Sequence, residues 1–282
     1  MNAIVTAWSS LPYAQFKKYP AFYLVYDSAY FLAAIGLIST LQLAGYQAPS
    51  QQFAWWHVLL LPLATYLVIS AHMLIHNASH GNCGPKPLNR LIGELCGIVV
   101  LSKFASWEII HRRHHRYSDD PEKDPHPAER SYWRYVVASL ANVEKQLQMQ
   151  SLELFGDTPA RRRYEKVRSI WSFVSGATIL AAWYAVLGAP FFFVLYLPAF
   201  FFAALFIVFF NWAGHNAHRS DTTIEPTNLD HGIFWILNRM FFGIFYHGNH
   251  HKMAMLFNPM KMPKRATREA EQADEAEAEL AA

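Results

Sequence analysis

The sequence predicts an all-α integral membrane protein: four transmembrane helices in two hairpins, with interfacial helices and a cytoplasmic histidine-rich cap. Three observations predict it. Of the 282 residues, 53% are hydrophobic and only 16% charged, against about 25% charged in soluble domains, and the apolar residues come in blocks long enough to cross a bilayer. Lys and Arg avoid the two short connections between blocks. Nine of the 14 histidines fall in four clusters at or just beyond the block ends.

A bilayer core of about 30 Å takes about 20 helical residues. Residues 22–44, 54–75, 170–188 and 191–213 each supply that length in apolar sequence. The connection GYQAPSQQF joins the first two, and Gly188-Ala189-Pro190 turns between the last two, both rich in residues that break helices. All 24 Lys and Arg residues lie outside these tips, at Lys17-Lys18, in the 76–169 segment or after residue 214. The positive-inside rule then puts the N-terminus, the central segment and the C-terminus in the cytoplasm. This is the expected topology of a multi-pass inner-membrane protein with its active site on the cytoplasmic face.

Two further apolar stretches carry charges, Arg90, Glu94 and Lys103 in 88–107 and Arg239 in 232–246. A charge at the bilayer centre costs about 3 kcal/mol or more, so both are expected to be interfacial helices leading into a histidine cluster. Segment 128–168 is polar and helix-forming. It ends in Arg161-Arg162-Arg163, read as a solvated positive patch, with docking of an acidic redox partner as the sharper alternative. Asp27 is expected at the interface and the tryptophans near span ends in an aromatic belt. Residues 1–263 read as one membrane domain and 264–282 as a charged, disordered tail. The first 20 residues have no signal-peptide pattern. Cys83 and Cys96 form no C-x-x-C and read as reduced, inert thiols. A net charge of +3 without a basic, aromatic-interleaved stripe argues against nucleic acid as a partner.

The chemistry lies in a repeated pattern. His111-Arg-Arg-His114-His115 and His247-Gly-Asn-His250-His251 both read H-x-x-H-H. On a helix, positions i, i+3 and i+4 share a face, so each copy is expected to aim three imidazoles at one spot. His76-Asn-Ala-Ser-His80 is an i, i+4 pair, and Asn211-Trp-Ala-Gly-His215 ends in a ninth histidine. One ion takes about four to six ligands, so nine imidazoles call for two metals. Neither cysteine is placed to coordinate, which argues against iron–sulfur clusters and Cys-type zinc. An all-histidine site at a membrane face fits two irons activating O2 beside a lipid-soluble substrate, since zinc lacks the redox chemistry for unactivated C–H bonds. Glu108, three before His111, reads as a neighbour of the ligands or a solvated acid. His57, His126 and His231 read as ordinary loop or interfacial residues.

These boxes resemble those of the membrane fatty acid desaturase superfamily, which includes acyl desaturases, hydroxylases and carotenoid ketolases. The first box, H-x-x-x-H followed by Gly, matches His76 to Gly81. The second, followed by an acidic-Pro stretch, matches His111 to His115, then Asp119-Asp120-Pro121 and Asp124-Pro125. An N-x-x-x-H element matches Asn211 to His215, and the third box matches His247 to His251 with Asn258-Pro259 behind it. The likeness spans residues 20–260. It implies a di-iron, O2-dependent enzyme with His76, His80, His111, His114, His115, His215, His247, His250 and His251 as iron ligands (Fe2+/Fe3+) and Asn211 holding an iron-bound water. His72, one turn before His76, and His218, three after His215, are further candidates. The resemblance implies a desaturase that puts a double bond into a fatty acyl chain. Hydroxylation or ketolation of a lipid, carotenoid or hydrocarbon is the alternative, and a metal transporter the remote one. With no cytochrome b5-like or flavin domain in the sequence, electrons are expected from a separate donor, a ferredoxin or similar carrier with its reductase.

Overall fold

The computed structural model describes residues 10–215 and 225–263; His218 and the 264–282 tail lie outside them. Among the described residues the regular structure is helical, apart from an isolated bridge between Asn228 and Tyr246. In chain order the α-helices are α1 (Pro12–Phe16), α2 (Phe22–Leu43), α3 (Leu61–Ser79), α4 (Lys86–Val99), α5 (Phe104–Arg116), α6 (Tyr132–Phe155), α7 (Pro159–Phe191), α8 (Leu197–Gly214), α9 (Ile233–Met240) and α10 (His247–Lys252).

Three helical stretches are long and apolar enough to cross a membrane: Phe22–Leu43, Trp55–Ser79 and Pro159–Gly214. The first matches its expected bounds. The second opens as a 3-10 turn over Trp55–Leu60 and runs on to Ser79, so His76 sits inside the last helical turn instead of beyond it. The expected spans 170–188 and 191–213 fall within one stretch of 56 residues. It breaks at Gly188, whose φ 72° and ψ 163° are not helical, and then passes through a π-type turn at Phe192–Tyr196. Only glycine adopts that conformation readily, and Pro190 supplies no amide to bridge the break.

α2 packs on α7 and α3 on α8. Ala199 and Ala203 of α8 are fully buried in the core shared with Ile75 and Ala78; small residues here let apolar helices approach closely. The loop after α2 also reaches the Gly188 bend. Tyr46 Oη donates to the Val186 carbonyl at 2.8 Å, and a Cβ at Gly188 would lie 2.0 Å from Ser50 Oγ.

The stretch expected as one interfacial helix at 88–107 is divided. Leu101 takes a positive φ of 52°, α4 ends, and the chain turns so that Lys103 meets Asp27 and Ser172. Asp27 is therefore a fully buried ion-pair partner and not a shallow interfacial acid. α4 presents Leu88, Leu91 and Leu95 outward while Asn89 and Arg90 are buried. α6 likewise exposes Trp133, Val137, Leu140 and Val143 while burying Gln146, Gln150 and Ser151. Apolar outside and polar inside inverts the pattern of a helix on a water-facing domain and suits a face turned to lipid. The expected helix at 232–246 is shorter, α9 followed by a turn through Phe241–Phe245.

Replacing Gly188 with Ala combines a disfavoured dihedral with the clash against Ser50 and is expected to cost about 1–3 kcal/mol. Thermal unfolding of the purified variant in detergent checks this, and an unchanged melting temperature would mean that the bend can relax.

Candidate metal centre

Four chain segments bring the nine predicted histidines together. His76 and His80 stand on the last turn of α3 and its cap, and His111, His114 and His115 on α5. His215 caps α8, and His247, His250 and His251 lie on α10. They form two groups, in each of which the ligand atoms lie within 4.8 Å of one another. The first contains His76, His80, His111, His115 and His250, the second His114, His215, His247 and His251. In the first, Nε2 atoms approach at 2.7 Å for His80 and His111, and at 3.0 Å for both His76 and His115 with His250. In the second, His215 and His247 approach at 2.8 Å and His247 and His251 at 3.1 Å.

Each H-x-x-H-H motif was expected to aim at one spot; instead each divides two to one. On α5 the outer pair, His111 and His115, joins the first group and His114 the second. On α10 the outer pair, His247 and His251, joins the second group and His250 the first. At 100° per residue, i and i+4 are 40° apart on the helix, whereas i+3 is displaced the other way by 60°. Two such helices meeting face to face share their six rings reciprocally. The stacked rings of His115 and His251, with centroids 4.4 Å apart, sit where the groups meet.

Neighbouring carboxylates orient two of these rings. His114 Nδ1 donates to Asp124 at 2.9 Å and His215 Nδ1 to Asp119 at 3.0 Å, which turns each Nε2 lone pair inward. Asp124 also accepts from the amides of Asp119 and His126. Asn142 of α6 binds the carbonyls of Asp124 and Pro125. Burial pushes the Asp124 carboxyl up to about 8 against the pull of those amides; positive charge held beside His114 would return it to the ionised form. Burial lowers His115 to about 4 and His251 to about 2. His111, His114, His247 and His250 are pushed well below the ordinary value by burial and then by their neighbours. The donor set is thus neutral nitrogen with its lone pairs converging and no carboxylate within either group, an arrangement that a cation relieves. Its all-imidazole character suits iron as it does zinc, copper and nickel.

The inner face of the centre opens on a cavity of about 630 Å³. His76, His111, His126 and Asn211 line it with apolar residues such as Met73, Ile110, Ile207 and Phe210.

A family model, "Fatty acid desaturase", matches residues 53–278. The chain belongs to that family. No curated protein and no solved structure matches it significantly. As a desaturase-family chain it is a lipid-modifying oxidoreductase of a membrane-bound family.

Several other residues now have positions. His72 lies apart from both groups, with Nδ1 on the Val68 carbonyl and its ring against Trp107. Asn211 lines the cavity, and its Nδ2 donates to the Ile207 carbonyl at 3.2 Å. Glu108 is fully buried and in neither group, taking bonds from Arg112 and the Tyr13 amide. Sequence reasoning treated His126 as an ordinary loop residue, yet its ring lies 4.3 Å from that of His114. The Asp124-Pro125-His126 run was the only available signal. It also passed over Arg113, which is fully buried and bound to Gln146, Gln150 and Glu153 of α6. Arg161 binds Ser151 and the Pro20 carbonyl, so only part of the arginine run is a free patch.

Exchanging Asp124 for Asn weakens the orientation of His114 and is expected to lower metal affinity about 10–100-fold. The control is Asp120→Asn, at a carboxylate bonded to the amides of Glu122 and Lys123 and to no histidine, and metal titration of the two variants reads the difference. In the metal-free protein the unfolded histidines protonate near 6.5 while the folded His111, His114, His115, His247, His250 and His251 stay neutral well below it. The unfolded chain then binds more protons as pH falls through that window. The melting temperature of the metal-free protein is therefore expected to drop between pH 7.5 and 5.5, and a flat profile would contradict the burial of the rings.

Proposed function

We propose that this protein is a membrane non-haem di-iron, O2-dependent desaturase that introduces a double bond into a fatty acyl chain. The observation that carries the reading is the pair of all-histidine groups, the first of which lines a largely apolar cavity through His76 and His111. On this reading the five-histidine group would hold one iron and the four-histidine group the other, and Asn211 would hold an iron-bound water. Bound iron supplies the one-electron redox chemistry by which dioxygen oxidises an unactivated C–H bond.

The chain's own residues do the rest. Met73, Ile110, Ile207 and Phe210 give the cavity walls that an acyl chain would occupy and exclude water around it. His76 and His111 face both the cavity and the first group, so a methylene lodged beside them is held next to the metal site, and positioning of this kind can supply several kcal/mol. Asp119 and Asp124 fix the rings of His215 and His114. The 56-residue stretch, about 84 Å if straight, exceeds one bilayer core and turns back at Gly188. We read it as two spans, making four in two hairpins, with the histidine cap in the cytoplasm and both tips outside. A separate redox carrier and its reductase deliver the electrons there.

Two measurements on one preparation test this: metal content of the purified protein, and mass analysis of the lipids of a host expressing it beside a His114→Ala control. About two irons per chain and lipids lighter by two hydrogens, both reduced in the control, are expected. Lipids gaining one oxygen would make it a hydroxylase, and zinc without iron would sink the reading.

A further inference from the structure

The cavity is not closed on every side. Leu140 and Val143 of α6 and Phe173 and Ala177 of α7 all line it, yet all four are exposed on the outer surface, Leu140 by 77% and Phe173 by 70%. The same side chains therefore belong to the inner wall and to the outside, which marks a lateral opening between the two helices.

α6 is tied down on either side of this gap. Towards its N-terminus Tyr132 Oη donates to the Leu205 carbonyl of α8, and Trp212 Nε1 to the carbonyl of Arg130. Towards its C-terminus Glu144 pairs with Arg168 and Ser151 Oγ donates to Glu165 Oε1 at 2.6 Å, both on α7. Between these ties the exposed side chains that line the cavity are Leu140, Val143, Phe173 and Ala177, none of which can hydrogen-bond. The surface around the gap continues in the same character. Val167, Ile170 and Val174 are exposed along α7, and Trp133 and Val137 along α6. α7 is part of a stretch apolar enough to cross a membrane. An opening edged by apolar side chains on such a helix meets acyl chains and not water.

We infer that the substrate is a lipid already dissolved in the bilayer, and that it enters sideways between α6 and α7 through the gap at Leu140, Val143, Phe173 and Ala177. A water-borne acyl thioester delivered from the cytoplasm would not use this route. The inference rests on the desaturase reading for what happens at the far end of the cavity, but the entry route is a statement about the chain alone. Its consequence is that the polar part of the lipid stays near the membrane surface while a tail passes the gap towards His76 and His111.

The test uses the full-length protein loaded with iron, in vesicles of a phospholipid that carries a diazirine in its acyl chain. Photolysis and peptide mapping locate the lipid. Adducts are expected on interior peptides containing Met73 and Ile110. They should fall at least fivefold in Ala177→Trp and Leu140→Trp, which fill the gap from an exposed position, and be unchanged in Leu32→Trp, an exposed residue of α2 away from the cavity. Equal melting temperatures and metal content among the variants establish that the fold is intact. Interior labelling that ignores both blocking variants would overturn the route. So would interior labelling obtained only with a water-soluble diazirine acyl-coenzyme A and not with the vesicle lipid. Block-sensitive interior labelling in a protein that leaves host lipids unoxidised would support the route while removing only the desaturase reading.

Discussion

Nine imidazoles that must stay neutral while facing one another constrain everything else in this molecule. Protonating a ring in the low-dielectric interior is costly, and burial accordingly holds His111, His114 and His250 well below the value of a free histidine. Neutral rings, however, leave lone pairs converging at 2.7–3.3 Å, which is tolerable only with protons shared between rings or a cation between them. The fold must therefore hold the rings in place from outside. It does so with α5 and α10 set face to face, and with the C-terminal ends of α3 and α8 entering from the sides.

Buried polar groups cross-link that scaffold in addition to the apolar packing around it. Lys103 ties α5 to Asp27 of α2 and Ser172 of α7, Arg168 ties α7 to Glu144, and Arg113 ties α5 to Gln146 and Gln150 of α6. Each of these charges would be expensive alone, and each has a partner. In water such pairs add little, since both states solvate the ions. In a chain whose outer surface is apolar, the inside is where polar groups can satisfy one another. This is why α4 and α6 carry Leu88, Leu91, Leu95, Val137, Leu140 and Val143 outward and Arg90, Gln146, Gln150 and Ser151 inward.

The loop after α5 connects the scaffold to the rings. Asp119 and Asp124 lie on it five residues apart, each fixing a histidine from a different helix, His215 and His114. Asn142 and Gln146 hold its carbonyls from α6. α6 thus serves two ends at once: its inner face positions the aspartates, and its outer face borders the gap opposite α7. A shift of this helix would move both the rings and the opening.

Reading the chain alone gave the helical class, the apolar stretches at 22–44 and 54–75, the bend at Gly188 and the nine histidines. These follow from local rules: apolar run length, breaker residues and the spacing of rings along a helix. The same rules could not divide the rings. The H-x-x-H-H spacing leaves a 100° difference between the last two imidazoles, and which target each meets depends on the helix set opposite. Nor could they pair Asp27 with Lys103, 76 residues away, bring Asp119 to His215, or place His126 beside His114. Such contacts are chosen by how helices dock, and sequence periodicity carries no information about distance between elements. Composition and spacing decided that four histidine clusters lie at or near the ends of apolar stretches. Packing alone decided that they form two groups and that His76 and His111 of the first line a cavity.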